Sequence, residues 1–99
     1  HNALVQEAMS NLQNGEIIAN ELEYDLINRS IEKEILPFLR QQGIVVLAYY
    51  PLLSGFLTTK YDRNTILAKN DFRNNWELFK HKENFTRSQL LFETIRQIA

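Results

Sequence analysis

Residues 49–61, Tyr49-Tyr50-Pro51-Leu52-Leu53-Ser54-Gly55-Phe56-Leu57-Thr58-Thr59-Lys60-Tyr61, bring together aromatic faces, a small-residue turn, hydroxyls and a cation. That set suits a phosphate-bearing ring: Tyr49 can stack on a flat heterocycle, backbone amides around Ser54-Gly55 can cradle an anion, and Lys60 can balance its charge. A plainer reading takes the same residues as a strand end with core tyrosines and a solvated lysine. Other chemistries find less to work with. Ser54 has no histidine at a fixed nearby spacing, and cysteine is absent, so no nucleophile is set up. His1 opens the chain and His81 lies in the charged run Lys80-His81-Lys82-Glu83, the settings of surface residues rather than of a general base. The two histidines and the scattered carboxylates form no ligand-spaced pair, so no metal site is expected. Glu21 and Glu23 share a face if they lie on one strand, which places two carboxylates side by side or leaves one at the strand end in water. Phe72, Trp76 and Phe79 either line a pocket or tether a loop to the body.

Composition narrows the classes further. The chain has 99 residues, with 11 Lys and Arg against 12 Asp and Glu, and the resulting net charge of −1 supplies no field for gripping nucleic acid or acidic lipid. Without cysteine there is no disulfide framework and no thiolate metal site, a composition that fits a reducing cytoplasm. The longest apolar run, from Ile44 to Ala48, is too short to span a bilayer, and no charged-then-apolar leader opens the sequence. A chain of this length hides roughly two thirds of the surface its unfolded form exposes, so each apolar element needs a partner.

The elements that position these residues follow from the apolar spacing. Leu4, Val5, Ala8, Met9 and Leu12 recur at helical intervals before an Asn14-Gly15 stop. Glu16 to Leu22 reads as a strand buried on both faces, followed by a polar connection from Asp25 to Ser30. Ser30 is placed to cap a helix carrying Ile31, Ile35, Phe38 and Leu39, with Pro37 forcing a kink or a late start and Gln42-Gly43 closing it. Ile44 to Tyr49, β-branched and aromatic, reads as a central strand. Tyr50 to about Trp76 reads as a long loop with short turns, and Leu91, Phe92, Ile95, Ile98 and Ala99 restore a helix capped by Thr86 or Ser88. This alternation is the pattern of an α/β fold with a parallel sheet, yet two strands cannot close one, so exposed edges and both chain ends suggest a segment of something larger. Ligands in such folds lie beyond the carboxyl ends of the strands, just after Leu22 and Ala48.

The series Asn20-Glu21-Leu22-Glu23-Tyr24-Asp25-Leu26 with Arg29, then Glu34, Pro37, Gly43-Ile44, Ala48-Tyr49-Tyr50-Pro51-Leu52, Gly55, Leu57-Thr58 and Lys60-Tyr61, resembles the aldo-keto reductases. Asp71-Phe72-Arg73, Phe79 and Glu83-Asn84-Phe85 continue the likeness over nearly the whole chain. The resemblance implies a partial TIM (β/α)8 barrel segment in which residues 1–99 supply a helix, strand six, a helix, strand seven, a cofactor loop and the start of the next helix. That is about two fifths of a barrel of ~250 residues.

It also implies part of an NADP(H) site. Glu21 stands where the family usually has a glutamine that holds the nicotinamide carboxamide. A carboxylate there can accept from the amide nitrogen but cannot donate to its oxygen. Tyr49 matches the aromatic residue stacked on the nicotinamide, and Tyr50, Pro51, Leu52, Leu53 and Ser54 match the segment running beneath the pyrophosphate. Tyr50 replaces a common serine. Lys60 and Arg73 match cations that approach the cofactor's phosphates, with Thr59 where a glycine is frequent. The family's acid tyrosine and its lysine, aspartate and histidine belong to the first four strands, so no catalytic residue falls in this chain, and Tyr24 is not the acid. The implied function is the cofactor-holding part of an NADP-dependent reductase of aldehydes or ketones. The alternative is a noncatalytic truncated or degenerate relative that acts as an interaction or self-associating module.

Overall fold

The structure, a computed structural model, describes residues 1–99 as two compact units, His1–Pro51 and Leu52–Ala99. The N-terminal unit opens with α1 (Asn2–Asn11), whose Val5 is buried, and then runs through a turn at Gly15 into β1 (Ala19–Glu23). A short 3-10 turn (Ser30–Glu32) precedes α2 (Ile35–Gln41) and β2 (Val45–Tyr49). The strands pair in parallel, Ala19 with Val45 through Glu23 with Tyr49. Helix α2 is thus the crossover that a parallel pair requires. One face of this ladder packs Leu22 and Val46 against a core of Val5, Leu39 and Ile44, with Leu39 fully enclosed.

Three expectations change here. The first strand starts at Ala19 rather than Glu16, because the chain at Gly43 is still turning out of α2 and the ladder has its first partner at Val45. Neither strand is buried on both faces: Val45 is 59%, Leu47 55% and Tyr49 40% exposed, since nothing in the N-terminal unit covers that side of the sheet. The helix expected from Ser30 is broken. The Ser30 hydroxyl donates to the Asn28 side chain instead of capping, and α2 begins late, at Ile35. Pro37 then falls in the first turn of α2, where its missing N–H costs nothing.

The C-terminal unit has no strand. A run of tight turns kinked at Ser54 and Gly55 (Leu53–Thr58) and a 3-10 turn (Phe72–Asn75) lead to α3 (Glu77–Lys80), α4 (Glu83–Arg87) and α5 (Gln89–Ile98). Its core is aromatic. Phe56, with no exposed surface, has Phe79, Phe85 and Phe92 around it at ring-centroid distances of 5.7, 4.9 and 5.3 Å. The edge and tilted approaches suit the ring quadrupoles. Leu53 and Leu57 complete the cluster. Ser88 sits at the N-cap of α5, as expected, but its hydroxyl makes no capping bond. No helix is long and apolar enough to cross a membrane.

Candidate functional site

Parallel pairing puts the residues of interest at the carboxyl ends of β1 and β2. Side chains alternate along a strand, so Glu21 and Glu23 share the open face with Leu47 and Tyr49, and the register sets Glu21 opposite Leu47 and Glu23 opposite Tyr49. Both glutamates are exposed. The Tyr49 ring meets that of Tyr50 edge-on at 5.6 Å, and Tyr50 turns the chain with a left-handed φ of 53°. An exposed flat ring beside a carboxylate, on an open sheet face, is an arrangement that can take a planar heterocycle bearing an amide.

Beside the same strand ends lies a recess of about 490 Å³ lined by Tyr24, Asp25, Leu26, Arg29, Glu32, Ala48 and Pro51. Apart from one Asp25 oxygen, its polar wall is self-satisfied. Arg29 grips Glu32 with two hydrogen bonds of 2.7 and 2.9 Å, and the Tyr24 hydroxyl donates to the same carboxylate at 2.7 Å. The Arg29 and Tyr24 bonds hold Glu32 below the usual carboxylate range, and the Glu32 carboxylate raises the Tyr24 phenol. A phenol shifted upward and donating to a carboxylate is poorly suited to proton donation elsewhere. Asp25, 8% exposed, folds the connection back on itself: its Oδ1 accepts from the backbone N–H groups of Ile27 and Asn28, and its Oδ2 has no partner within the chain. The sequence offered a signal for this turn in the polar stretch after Tyr24, but none for the burial of its carboxylate.

In the C-terminal unit the loop residues Leu53, Ser54 and Gly55 are successively left-handed, with φ of 49°, 52° and 99°. Leu53 points into the core, Leu52 is exposed and Ser54 is half-buried, so the backbone and the Ser54 hydroxyl are what this turn presents to a ligand. The amide cradle expected at Ser54-Gly55 loses one donor, because the Gly55 N–H already donates to the Leu52 carbonyl at 3.0 Å. Such a run of left-handed residues persists only where the surroundings dictate it.

Those surroundings are Arg73. Its Nη1 donates to the Ser54 carbonyl at 3.1 Å and to the Tyr61 hydroxyl at 3.0 Å, while Nε and Nη2 grip Asp71 at 3.0 and 2.7 Å. The guanidinium also lies 5.0 Å from the centre of the Tyr61 ring. A Cβ on Gly55 would come within 2.9 Å of the Tyr61 ring. The side-chain bonds from Arg73, reinforced by its backbone N–H, bring the Asp71 carboxyl down to about 2, and Arg73 is correspondingly raised. Arg73, matched to a phosphate-facing cation, is thus spent on pinning the turn. Lys60 is different. It is exposed, joins no ion pair, and rests 5.7 Å from the Tyr61 ring centre, so its charge is available. Among the aromatic residues weighed as pocket lining, Trp76 stacks on buried Phe79 and anchors its segment, whereas Phe72 is 68% exposed.

The model of the aldo/keto reductase family matches residues 3–99. The chain belongs to the aldo/keto reductase family. Its two parallel strands with flanking helices are those of a segment of the family's (β/α) barrel, and the aldo/keto reductases are oxidoreductases that use nicotinamide cofactors. Among curated relatives, an Escherichia coli (strain K12) protein named NADH-specific methylglyoxal reductase is 40% identical over 55 residues. The matched stretch is 56% of this chain but only 17% of that relative's length.

Proposed function

We propose that residues 1–99 form the cofactor-holding part of a cytoplasmic NADP(H)-dependent reductase of small aldehydes or ketones, with proton donation and substrate contacts supplied by other parts of one barrel domain. The observation that carries this reading is the exposed Tyr49 ring at the carboxyl end of β2, on the same sheet face as Glu21. When bound, the coenzyme supplies a hydride to the carbonyl carbon. The chain's own residues do the holding. Tyr49 offers its face to the nicotinamide, Glu21 accepts from the carboxamide N–H, and Tyr50 and Pro51 lead the backbone away from the ring. The Leu52–Ser54 turn and Lys60 are assigned to the phosphates, with Arg73 acting through the turn it pins. No side chain of the segment is assigned a proton transfer to the substrate, since the Tyr24 hydroxyl is committed to Glu32.

Coenzyme titration of the full-length protein, followed by NADPH and NADH oxidation with methylglyoxal as the probe carbonyl, tests this. Tyr49→Ala is expected to weaken coenzyme binding by about two- to tenfold, the scale of one aromatic contact. Lys60→Met is expected to weaken it too. Unchanged affinity in both variants would remove the assignment. Preference for NADH, the coenzyme in the bacterial relative's name, would keep the reductase and correct the coenzyme. The 99-residue chain alone is expected to show no turnover. Turnover abolished by Tyr24→Phe would overturn that division of labour.

A further inference from the structure

The C-terminal unit contains a cavity of about 290 Å³ among residues 61–63, α4 and α5 that no part of the proposed reductase site uses. Its apolar lining includes Phe85 and Phe92, each 3% exposed and each packed on Phe56. Both arginines that line it, Arg63 and Arg96, are exposed, and neither joins any of the chain's ion pairs. Asp62 also lines it, but its Oδ1 accepts from the Asn64 backbone at 2.8 Å and from the Thr65 hydroxyl at 3.3 Å, which commits that carboxylate to its own turn. The Tyr61 hydroxyl accepts from Arg73, which leaves its own hydrogen free to donate. Buried aromatic walls with a few convergent polar groups are the make-up of a small-molecule site, and the volume falls at the lower end of the usual ~300–1,000 Å³.

Two guanidiniums against the single carboxylate of Asp62 leave the lining with one positive charge in excess, which selects for negative charge, and their planar forks match a carboxylate. The fixed charge of Asp62 disfavours a dianion. The phenylalanine walls ask for a flat apolar body. We propose that this cavity binds a small aromatic monocarboxylate, its ring against Phe85 and Phe92 and its carboxylate toward Arg63 and Arg96. The assignment does not rest on the reductase reading.

Titrating the full-length protein with benzoate, and with benzamide as a neutral molecule of the same shape, tests the proposal by calorimetry. Benzoate is expected to bind saturably, with benzamide, Arg63→Gln and Arg96→Gln each weakening binding by about tenfold, the scale of one charge-assisted hydrogen bond. Lys60→Met is expected to leave benzoate binding unchanged. Both arginines are exposed, so the substitutions leave the core intact, which a matching thermal transition verifies. Equal affinity for benzoate and benzamide, binding insensitive to both arginine variants, or no saturable binding would each overturn it.

Discussion

Gly55→Ala tests whether the turn before Lys60 is held as tightly as its contacts imply. Two costs act at that position. A φ of +99° puts an L side chain outside its allowed basins, which costs about 1–2 kcal/mol. The new methyl carbon also lands 2.9 Å from Tyr61 Cε2 and 3.5 Å from Arg73 Nη1, and forcing a side chain into an occupied space adds about 1–3 kcal/mol. Tyr61 cannot simply swing aside, because its hydroxyl is held by Arg73. The sum is about 2–5 kcal/mol of destabilisation. Gly43→Ala is the control: φ is +71°, but nothing lies within 4 Å of the added carbon, so only the backbone cost of about 1–2 kcal/mol applies. Urea denaturation of the full-length protein and both variants, at constant m-value, reads the two numbers directly. If Gly55→Ala costs no more than Gly43→Ala, the packing of Tyr61 and Arg73 against the turn is not what fixes its shape, and the reasoning fails.

Two further outcomes follow from the C-terminal unit. Phe56→Ala removes the ring on which three others converge and is expected to cost about 3–5 kcal/mol in the same denaturation assay, with Phe56→Leu recovering most of it. Asp71 binds its proton less readily folded than unfolded, so its pairing stabilises above about pH 4 and that benefit fades as pH falls from its ordinary 3.8 toward about 2. Asp71→Asn should therefore be less stable than the parent at pH 6, with the difference shrinking below pH 4 by denaturation at each pH; a pH-independent difference would place the effect elsewhere.

The N-terminal unit was largely legible because its elements follow local rules. The spacing of Leu4, Val5, Ala8 and Met9 marks α1, the β-branched run after Gly43 marks β2, and Pro37 marks the late start of α2. What misled was context: Glu16–Ile18 carries strand-like residues, yet a strand exists only where a partner runs alongside, and the partner begins at Val45. The C-terminal unit was harder to read. Its α3 and α4 are four and five residues long, too short to display a periodicity, and they are held by contacts of Phe79 and Phe85 with residues more than twenty positions away. For the candidate site, residue types and order pointed to Tyr49 and Lys60. The employment of Arg73 did not follow from them, because a guanidinium looks the same in sequence whether it faces a ligand or its own backbone.

The core of the C-terminal unit draws on two stretches, Leu53–Leu57 and Phe79–Phe92, and the connection from Asp62 to Asn70 adds only half-buried Leu67 against it. Within it, Asp62 and Thr65 close one turn by short-range hydrogen bonds, and from α4's edge Lys82 reaches over to the Thr65 carbonyl. Evolution can therefore lengthen or shorten it beside Ile66, which is 94% exposed, with only the slow logarithmic penalty of a longer loop, so long as Leu67 keeps its place on the cluster. This is the part of the unit where close relatives can diverge in length while the turn before Lys60 keeps its shape.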